Sequence, residues 1–210
     1  MRTPLLAGNW KMYKTVSEAT ALAEALLHGL ESAPAHDREV LICPPFTALH
    51  ALGQRLQGTA IGLGGQDVFY EEQGAFTGAI SPLMLRDVGC TYAIVGHSER
   101  RQIFGDDDAL INRKLHAALR HSLRPILCVG ETKPQRDAGQ AETIVVDQVR
   151  AGLADVDAAG LQNVVIAYEP VWAIGTGDTA TPGDAQAMHA TIRRTIADLY
   201  GAGAADQLRI

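Results

Sequence analysis

The sequence predicts an α/β fold in which short parallel β-strands alternate with helices and close into a (β/α) barrel. Short β-rich apolar runs alternate with longer segments of helical periodicity along the chain. Parallel neighbours cannot be joined by a tight hairpin, so each pair needs a crossover such as a helix. Several apolar runs end in polar residues or glycine. Closure gathers these carboxyl ends around one mouth, whereas an open doubly wound sheet spreads them along a line, and we therefore favour the barrel.

Seven strand candidates and four long helices follow from this pattern. In chain order the strand candidates are PLLAGNW, EVLICPP, AIGLGGQD, CTYAIVGHS, RPILCVGE, NVVIAYEP and QLRI. Apolar residues three and four apart predict helices over residues 17–30, 107–121, 141–156 and 182–200. Ser81 before Pro82, and Thr181 before Pro182, combine an N-cap oxygen with the preset φ of a first helical residue, so each pair predicts a helix start.

The number of strand and helix pairs is incomplete for a closed barrel. Such barrels use eight pairs in about 250 residues, whereas this chain has 210 residues and ends inside the seventh strand candidate. We expect residues 1–210 to form a single barrel domain in which the end of the seventh pair and the whole eighth pair are absent. The sequence is therefore interpreted as a C-terminally truncated form of a longer protein.

Composition and charge exclude several classes of function. The formal charge of −6 is spread along the chain without a basic stripe, which argues against a nucleic-acid partner. The apolar N-terminal stretch is too short for a signal peptide, and no apolar run is long enough to span a bilayer, so a soluble protein without a membrane partner is predicted. Cys43, Cys90 and Cys128 are far apart and lack metal-ligand spacing, which predicts reduced core thiols in a cytoplasmic protein without a bound metal.

Three polar residues at predicted strand ends are candidates for chemistry: Lys11, His97 and Glu169. Each also has a structural interpretation. Lys11 could be a solvated surface residue, and His97 a half-buried ring whose nitrogens are satisfied by backbone. Glu169 could be an exposed loop charge or the acidic start of the next helix, although Pro170 pushes it toward extended geometry and disfavours a helix there.

Taken together, the three residues form an acid–base constellation. A carboxylate at the rim of an apolar strand is partly desolvated, which suits Glu169 to act as a general base. His97 precedes Ser98, a good N-cap, and a helical turn that opens there keeps the ring neutral and able to donate a hydrogen bond. Lys11 supplies a local positive charge for an anionic group.

Seven strings spread over residues 7–177 carry a resemblance to one family: AGNWKM, CPPF, GGQDV, GAFTGAIS, YAIVGHSERR, LCVGE and AYEPVWAIGTG. Together, and in this order, they resemble the triosephosphate isomerase family. The resemblance implies a (β/α)8 TIM barrel that interconverts D-glyceraldehyde 3-phosphate and dihydroxyacetone phosphate without a metal or an organic cofactor. It also implies that Glu169 is the base, that His97 is the electrophile, and that Lys11 and Asn9 hold the substrate.

The resemblance assigns supporting roles to the residues after His97. Ser98 and Glu99 support the site, and the place of Glu99 in the string HSER implies that it pairs with Lys11. A plain carboxylate at a helix start is the alternative interpretation of Glu99. The later phosphate-binding loops of the family, after the seventh and eighth strands, have no counterpart in this sequence.

The glycine-rich segment after Glu169 has three interpretations. It can be a turn into the helix at Thr181, or a weak phosphate loop for a nucleotide, although a lone G-T-G lacks the full fingerprint. The resemblance implies a lid with hinges at residues 170–172 and 178–180, which excludes water and brings a backbone amide near Gly175 to the phosphate. The lid residues are Pro170, Val171, Trp172, Ala173, Ile174, Gly175, Thr176 and Gly177.

The segment of residues 65–80 is long for a connection and carries three aromatic residues, Phe69, Tyr70 and Phe76. Loops of this length are often functional, and exposed aromatic side chains favour a partner surface. The resemblance implies that this loop, with Gln66, Phe76 and Thr77, docks into a second subunit and places Thr77 near Lys11 of the partner subunit. A homodimer is therefore predicted.

Three functions remain open from the sequence. The leading one is an isomerase of triose phosphates. The second is a catalytically silent dimerisation fragment that keeps Glu169, His97 and the loop of residues 65–80 but does not bind substrate. The third is another sugar-phosphate enzyme on the same architecture, because fold alone does not determine function. Turnover of glyceraldehyde 3-phosphate distinguishes among them.

Overall fold

A computed structural model describes residues 2–32 and 37–210 of the chain. Contacts within it divide the chain into two compact units. The first unit comprises Thr3–Ile94 and Ala117–Pro125, and the second comprises Arg2, Val95–His116 and Ile126–Ile210. The single domain over residues 1–210 stays a prediction.

Strands and helices alternate along the chain in the predicted order. The strands are β1 (Leu5–Asn9), β2 (Glu39–Cys43), β3 (Ile61–Gly65), β4 (Tyr92–Val95), β5 (Arg124–Val129) and β6 (Val165–Tyr168). The helices are α1 (Val16–Ser32), α2 (Phe46–Leu56), α3 (Pro82–Asp87), α4 (Ser98–Ile103), α5 (Asp108–Arg120), α6 (Lys133–Asp137), α7 (Ala141–Gly152), α8 (Ala158–Leu161), α9 (Pro182–Tyr200) and α10 (Ala202–Gln207). A 3₁₀ turn at Val171–Ala173 follows β6. The strand order in the sheet is the chain order, β1-β2-β3-β4-β5-β6.

The first unit is built on parallel pairs of β1, β2, β3 and β4. The register runs from Leu5↔Glu39 to Asn9↔Cys43 between β1 and β2, and β3 continues the sheet in parallel. The carboxyl ends of β1 and β2 are therefore level, which places Asn9 at the edge where the strands end. Ala19 and Ala23 of α1 are fully buried, and this helix packs against α2.

The second unit contains the parallel pair of β5 and β6, with helices packed beside it. The register ends at Val129↔Tyr168, so the residues that follow, Gly130 and Glu169, come directly beyond the last paired position. Apolar side chains at helical spacing from α7 and α9 are fully buried, namely Val145, Val149, Ile192 and Ile196. The pair of β5 and β6 therefore lies beside a packed layer of helices, and the polar residues follow directly after these strands.

Most element predictions are confirmed, and two need correction. Six of the seven strand candidates are strands. The seventh, QLRI, is not, because α10 continues to Gln207 and only a single parallel bridge, Val165↔Arg209, follows it. The helix predicted over residues 141–156 ends at Gly152, since Asp155 adopts a φ of 60°, a left-handed conformation in which an α-helix does not continue.

Both predicted helix starts are confirmed. The hydroxyl of Ser81 accepts the backbone N–H of Met84 at 3.2 Å. Thr181 and Asp184 form a reciprocal capping box, in which the hydroxyl of Thr181 accepts the N–H of Asp184 at 3.1 Å and the carboxylate of Asp184 accepts the N–H of Thr181 at 3.0 Å. These bonds satisfy backbone donors that the first turn of a helix leaves unpaired.

All three cysteines are buried and none forms a disulfide, as the sequence predicted. Burial raises the pKa of both Cys43 and Cys90 to about 12, so these thiols stay protonated at neutral pH. Within residues 2–32 and 37–210, no three His, Cys, Asp or Glu side chains are close enough to hold a metal ion together. No helix in this described part is long and apolar enough to cross a membrane.

Candidate active site

His97 follows β4 and is itself the N-cap of α4. Its Nδ1 atom accepts the backbone N–H of Glu99 at 3.2 Å, so the sequence-based choice of Ser98 as the N-cap is wrong, and Ser98 is the first helical residue. A ring nitrogen that accepts an N–H carries no proton, which places the single ring proton of a neutral imidazole on Nε2. The carboxylate of Glu99 is also 3.5 Å from Nδ1, but the amide decides the tautomer because a backbone N–H can only donate.

Glu169 comes directly after β6, and its carboxylate contacts the imidazole of His97. Oε1 lies 2.8 Å from Nε2 of His97, and Oε2 accepts the backbone N–H of Ser98 at 2.9 Å. The hydroxyl of Ser98 is a further 3.4 Å donor to Oε1. The side chain of Glu169 is only 14% exposed, and the backbone N–H of the residue donates to Val129. The structure therefore brings together three of the predicted residues, His97, Ser98 and Glu169.

Lys11 and Asn9 belong to the first unit, where the loop after β1 has an unusual backbone. Lys11 has a φ of 51°, which is uncommon for a residue with a side chain. Its N–H donates to Oδ1 of Asn9 at 2.9 Å, and its carbonyl accepts the side-chain amide of Gln66 at 2.8 Å. The same amide nitrogen of Gln66 donates to the carbonyl of Cys43 at 2.8 Å. Asn9 and Gln66 therefore hold the backbone of Lys11 in place.

Comparison with known proteins identifies the family. The family model described as triosephosphate isomerase matches residues 4–210. A triosephosphate isomerase of Roseiflexus sp. (strain RS-1) is 69% identical over the whole chain, which covers 82% of that protein. The triosephosphate isomerases of Roseiflexus castenholzii and Chloroflexus aurantiacus are 66% and 64% identical over the whole chain, covering 82% and 83% of their lengths.

The chain belongs to the triosephosphate isomerase family. It is therefore an enzyme of the isomerase class, as the seven sequence strings indicated.

The segment that the family resemblance identified as the lid begins with an ordered turn and continues as exposed chain. Trp172, in the 3₁₀ turn, is buried, and its carbonyl accepts the hydroxyl of Thr176 at 2.7 Å. The positions from Gly175 to Gly177 are exposed. Gly175 and Gly177 have φ values of 70° and 89°, which glycine adopts without strain. The function of this segment as a lid stays a prediction.

Glu131, just beyond β5, is a buried carboxylate at the base of this segment, and the sequence analysis assigned it no role. It is fully buried and accepts hydrogen bonds from Nε1 of Trp172 at 2.8 Å, from the hydroxyl of Tyr168 at 3.0 Å and from Arg136 at 3.1 Å. Arg136 also binds Asp184 at 2.6 Å. The Glu131 cluster, which consists of these five residues, therefore connects the start of the exposed segment to the first turn of α9.

Electrostatics within the Glu131 cluster follow from burial and charge. Burial and the nearby carboxylate of Glu131 raise the pKa of Tyr168 to about 12, so the phenol remains a hydrogen-bond donor at neutral pH. Burial lowers the pKa of Arg136, but the hydrogen bond to Glu131 and the charge of Asp184 outweigh it and raise the pKa overall. The guanidinium also stacks on the ring of Trp172, 4.4 Å from its centroid.

Arg101 is a second residue that sequence reasoning missed in this isomerase. Its Nε donates to the carbonyl of Gly96 at 2.8 Å, and Nη2 donates to the carbonyl of Cys128 at 3.2 Å. Its Nη1 is 2.6 Å from Asp108. Gly96 immediately precedes His97, so Arg101 supports the backbone that presents the imidazole. The string HSERR contains Arg101, but nothing in its position predicts which carbonyls it binds.

The loop of residues 65–80 is closed within the first unit. The N–H of Phe69 donates to the carbonyl of Ile80 at 2.8 Å, and the rings of Phe69 and Phe76 are 4.7 Å apart. Phe76 is 42% exposed, and Thr77 is exposed as well. Docking of this loop into a second subunit stays a prediction, as does the pairing of Glu99 with Lys11.

Proposed function

We propose that this chain interconverts D-glyceraldehyde 3-phosphate and dihydroxyacetone phosphate through an enediolate, with Glu169 as the base and His97 as a neutral electrophile. The observation that carries the proposal is the 2.8 Å contact between Oε1 of Glu169 and Nε2 of His97, combined with the amide bond to Nδ1. This arrangement supplies a carboxylate that accepts a proton and, beside it, one N–H that can be donated to an oxygen.

The chemistry requires both groups. Removing a proton from the carbon next to a carbonyl leaves negative charge on the carbonyl oxygen, and a preorganised donor at that oxygen lowers the barrier. Nε2–H of His97 can donate to this oxygen, and the ring can give and recover its proton as the second oxygen is protonated. Glu169 must exchange its bonds to His97 and Ser98 for the substrate, so the contact observed represents the site before substrate binds.

Substrate binding is assigned on the basis of the family. We propose that Lys11 and Asn9 hold the anionic substrate and that the backbone near Gly175 binds the phosphate. Residues 170–177 act as a lid, which protects the enediolate phosphate from water. Bonds from Asn9 and Gln66 to Lys11 support this assignment, since a binding cation benefits from a backbone that is fixed in advance.

We also propose that the fold is of the (β/α)8 barrel type, of which the described residues form six strands, and that the functional form is a homodimer in the cytoplasm. Strands in chain order and the single bridge at Arg209 support the barrel. Several large apolar side chains of the first unit are exposed, which favours a partner surface. They include Met12 (93%), Tyr13 (70%), Met84 (53%) and Leu83 (48%). Light scattering at micromolar concentration is expected to give twice the 22.4 kDa of one chain, and the mass of a single chain contradicts the dimer.

A coupled assay tests the activity. The purified chain is given D-glyceraldehyde 3-phosphate, and dihydroxyacetone phosphate is followed by its NADH-dependent reduction. We expect turnover by the chain and a loss of about 10²–10⁴-fold in kcat for Glu169→Ala and for His97→Ala. A folded chain without turnover instead supports the silent dimerisation fragment. Slow turnover of this substrate together with fast turnover of another sugar phosphate supports the third function.

A further inference from the structure

We propose that Gln148 on α7 is a positioning residue for Glu169, acting through the backbone of Gly130. The inference rests on the proposed role of Glu169 as the base. No role for Gln148 or Gly130 follows from the sequence. Gln148 contacts Gly130, and Gly130 in turn contacts Glu169.

The first contact is a two-point hydrogen bond between the side-chain amide of Gln148 and the peptide groups of Gly130. Oε1 of Gln148 accepts the N–H of Gly130 at 2.7 Å, and Nε2 donates to its carbonyl at 3.2 Å. The amide thus provides the donor and acceptor that a neighbouring strand would offer, at a position where the β5–β6 ladder has already ended at Val129. Two bonds fix both the position and the direction of this residue.

The helix that carries Gln148, α7, is fixed by the burial of its apolar face. Val145 and Val149 of α7 are fully buried, whereas Asp147 and Arg150 are exposed. Gln148 therefore lies at the margin of the apolar face, where a polar side chain is normally solvated. Here it is half-buried and makes both of its hydrogen bonds to a single residue beyond β5.

The second contact is a close approach between the backbones of Gly130 and Glu169. A Cβ atom placed on Gly130 would lie 1.8 Å from the carbonyl oxygen of Glu169 and 2.8 Å from its carbonyl carbon. No side chain fits in that space, so the two backbones are in direct contact. The N–H of Glu169 donates to the carbonyl of Val129 at 2.8 Å. Val129 therefore contacts the N–H of Glu169, and Gly130 contacts its carbonyl.

The consequence concerns the chemical step rather than substrate affinity. Glu169 lies beyond the last paired residue of β6, and its carboxylate must leave His97 and Ser98 to reach a substrate carbon. The position of the Glu169 backbone then determines where the carboxylate arrives. A displacement of about 1 Å at a reacting group can cost up to about 10²-fold in rate. Gln148 prevents such a displacement by holding Gly130.

Three variants test the proposal in the full chain. Gln148→Met keeps the length of the side chain and removes both hydrogen bonds. Gln148→Glu keeps an acceptor for the N–H of Gly130 and regains the donor only when its carboxyl is protonated. Gln162→Met makes the same chemical change at an exposed glutamine at the end of α8 and serves as the matched control. Steady-state kinetics and thermal unfolding are measured for each.

We expect Gln148→Met to lower kcat about tenfold with KM within about twofold of wild type, at temperatures where melting curves show a folded protein. The ratio of kcat for Gln148→Glu to kcat for wild type should increase as the pH falls from about 7 toward about 4.5, because the ordinary pKa of glutamate is about 4.3 and protonation restores the donor. Gln162→Met should match wild type in both parameters. A loss of kcat with unchanged KM in folded protein is a result that a purely structural role does not produce.

Several outcomes overturn the proposal. The proposal is wrong if folded Gln148→Met keeps kcat within twofold of wild type. It is also wrong if the fractional decrease in kcat of this variant equals the fraction of its molecules that are unfolded. Should Gln148→Met fail to fold, a folded Gln148→Glu with wild-type kcat across the pH range is equally decisive against it, and a reduced kcat that recovers at low pH supports it. Absence of turnover in the wild-type chain overturns the proposed function instead, so the two failures are distinguishable.

Discussion

Nε2 of His97 lies 2.8 Å from Oε1 of Glu169, while Nδ1 of the same ring accepts the backbone N–H of Glu99 at 3.2 Å. The two bonds together determine which nitrogen carries the proton. Since the amide can only donate, the ring offers its N–H on the side of Glu169. A carboxylate and an N–H donor are therefore in contact, and each lies within two residues of the end of a strand.

Gln66 is expected to control the conformation of Lys11. The change Gln66→Met removes the donor to the carbonyls of Lys11 and Cys43 while keeping the length of the side chain. Each lost hydrogen bond costs about 0.5–1.5 kcal/mol, so the two together cost about 1–3 kcal/mol, and the positive φ of Lys11 loses support. We expect a lower free energy of unfolding by that amount and a several-fold rise in KM, measured by urea unfolding and steady-state kinetics. Gln57→Met, at an exposed glutamine, is the control, and equal KM values for the two variants contradict this role.

The carboxylate of Glu131 is expected to be essential to the stability of the second unit. In the wild type, Tyr168, Trp172 and Arg136 donate hydrogen bonds to the two carboxylate oxygens of Glu131. The change Glu131→Gln replaces one of these acceptor oxygens with an N–H₂ donor, which faces the same donors. Removing one partner of a buried ion pair costs about 3–5 kcal/mol, and we expect a loss of that size in the free energy of unfolding.

The control for Glu131→Gln is Glu142→Gln, because the side chain of Glu142 is 70% exposed and lies 3.8 Å from Arg194. Exposed pairs contribute about 0–1 kcal/mol, so the control should unfold nearly as wild type does. Chemical denaturation of both variants at neutral pH provides the comparison. If Glu131→Gln is no less stable than Glu142→Gln, the Glu131 cluster does not stabilise this unit.

Asp106 is expected to contribute to stability at neutral pH and to lose that contribution in acid. Its carboxylate is buried and lies 2.9 Å from Arg100 and 2.6 Å from Lys114. Burial raises the pKa of this carboxyl, but the hydrogen bonds and charges of the two cations outweigh burial and lower the pKa below its ordinary 3.8. A folded-state pKa below the unfolded value means that the stabilisation is present above the unfolded pKa and is lost as the pH falls through the folded one.

Asp106→Asn measures this contribution. At pH 7 we expect its free energy of unfolding to be lower than that of wild type by about 3 kcal/mol, because Lys114 loses its buried counter-charge. The difference should shrink as the pH falls below about 4, where wild type also becomes protonated. Asp147→Asn, at an exposed position of α7, is the control. A difference that stays constant down to about pH 2.5 would falsify the electrostatic explanation.

The sequence predicted much of the fold because its signals are local. Apolar periodicity set the helix bounds of α9 to the residue, and Thr181 with Pro182 predicted its start. The end of α7 was missed because Asp155 carries no strong signal for a left-handed conformation. QLRI looked like a strand by composition, whereas its first residue, Gln207, ends α10, and Arg209 forms an isolated bridge to β6.

The candidate site was predictable where residues follow strands and unpredictable where side chains meet from distant parts of the chain. Glu169 and His97 were found because each follows an apolar run. Ser98 was misassigned as the N-cap because hydroxyls are the common caps, while here a ring nitrogen takes that role. Gln148 binds Gly130 across 18 positions and Trp172 binds Glu131 across 41, and no local pattern encodes such pairs.

The central claim is that Glu169 removes a proton from the carbon next to the carbonyl and so forms an enediolate. The most direct measurement is proton NMR of dihydroxyacetone phosphate incubated with the chain in D₂O. The account predicts that deuterium enters the carbon next to the carbonyl, because the carboxyl proton of Glu169 exchanges with solvent, and that Glu169→Gln slows this exchange by about 10²–10⁴-fold. Isomerisation without deuterium, or exchange at the wild-type rate in Glu169→Gln, contradicts it.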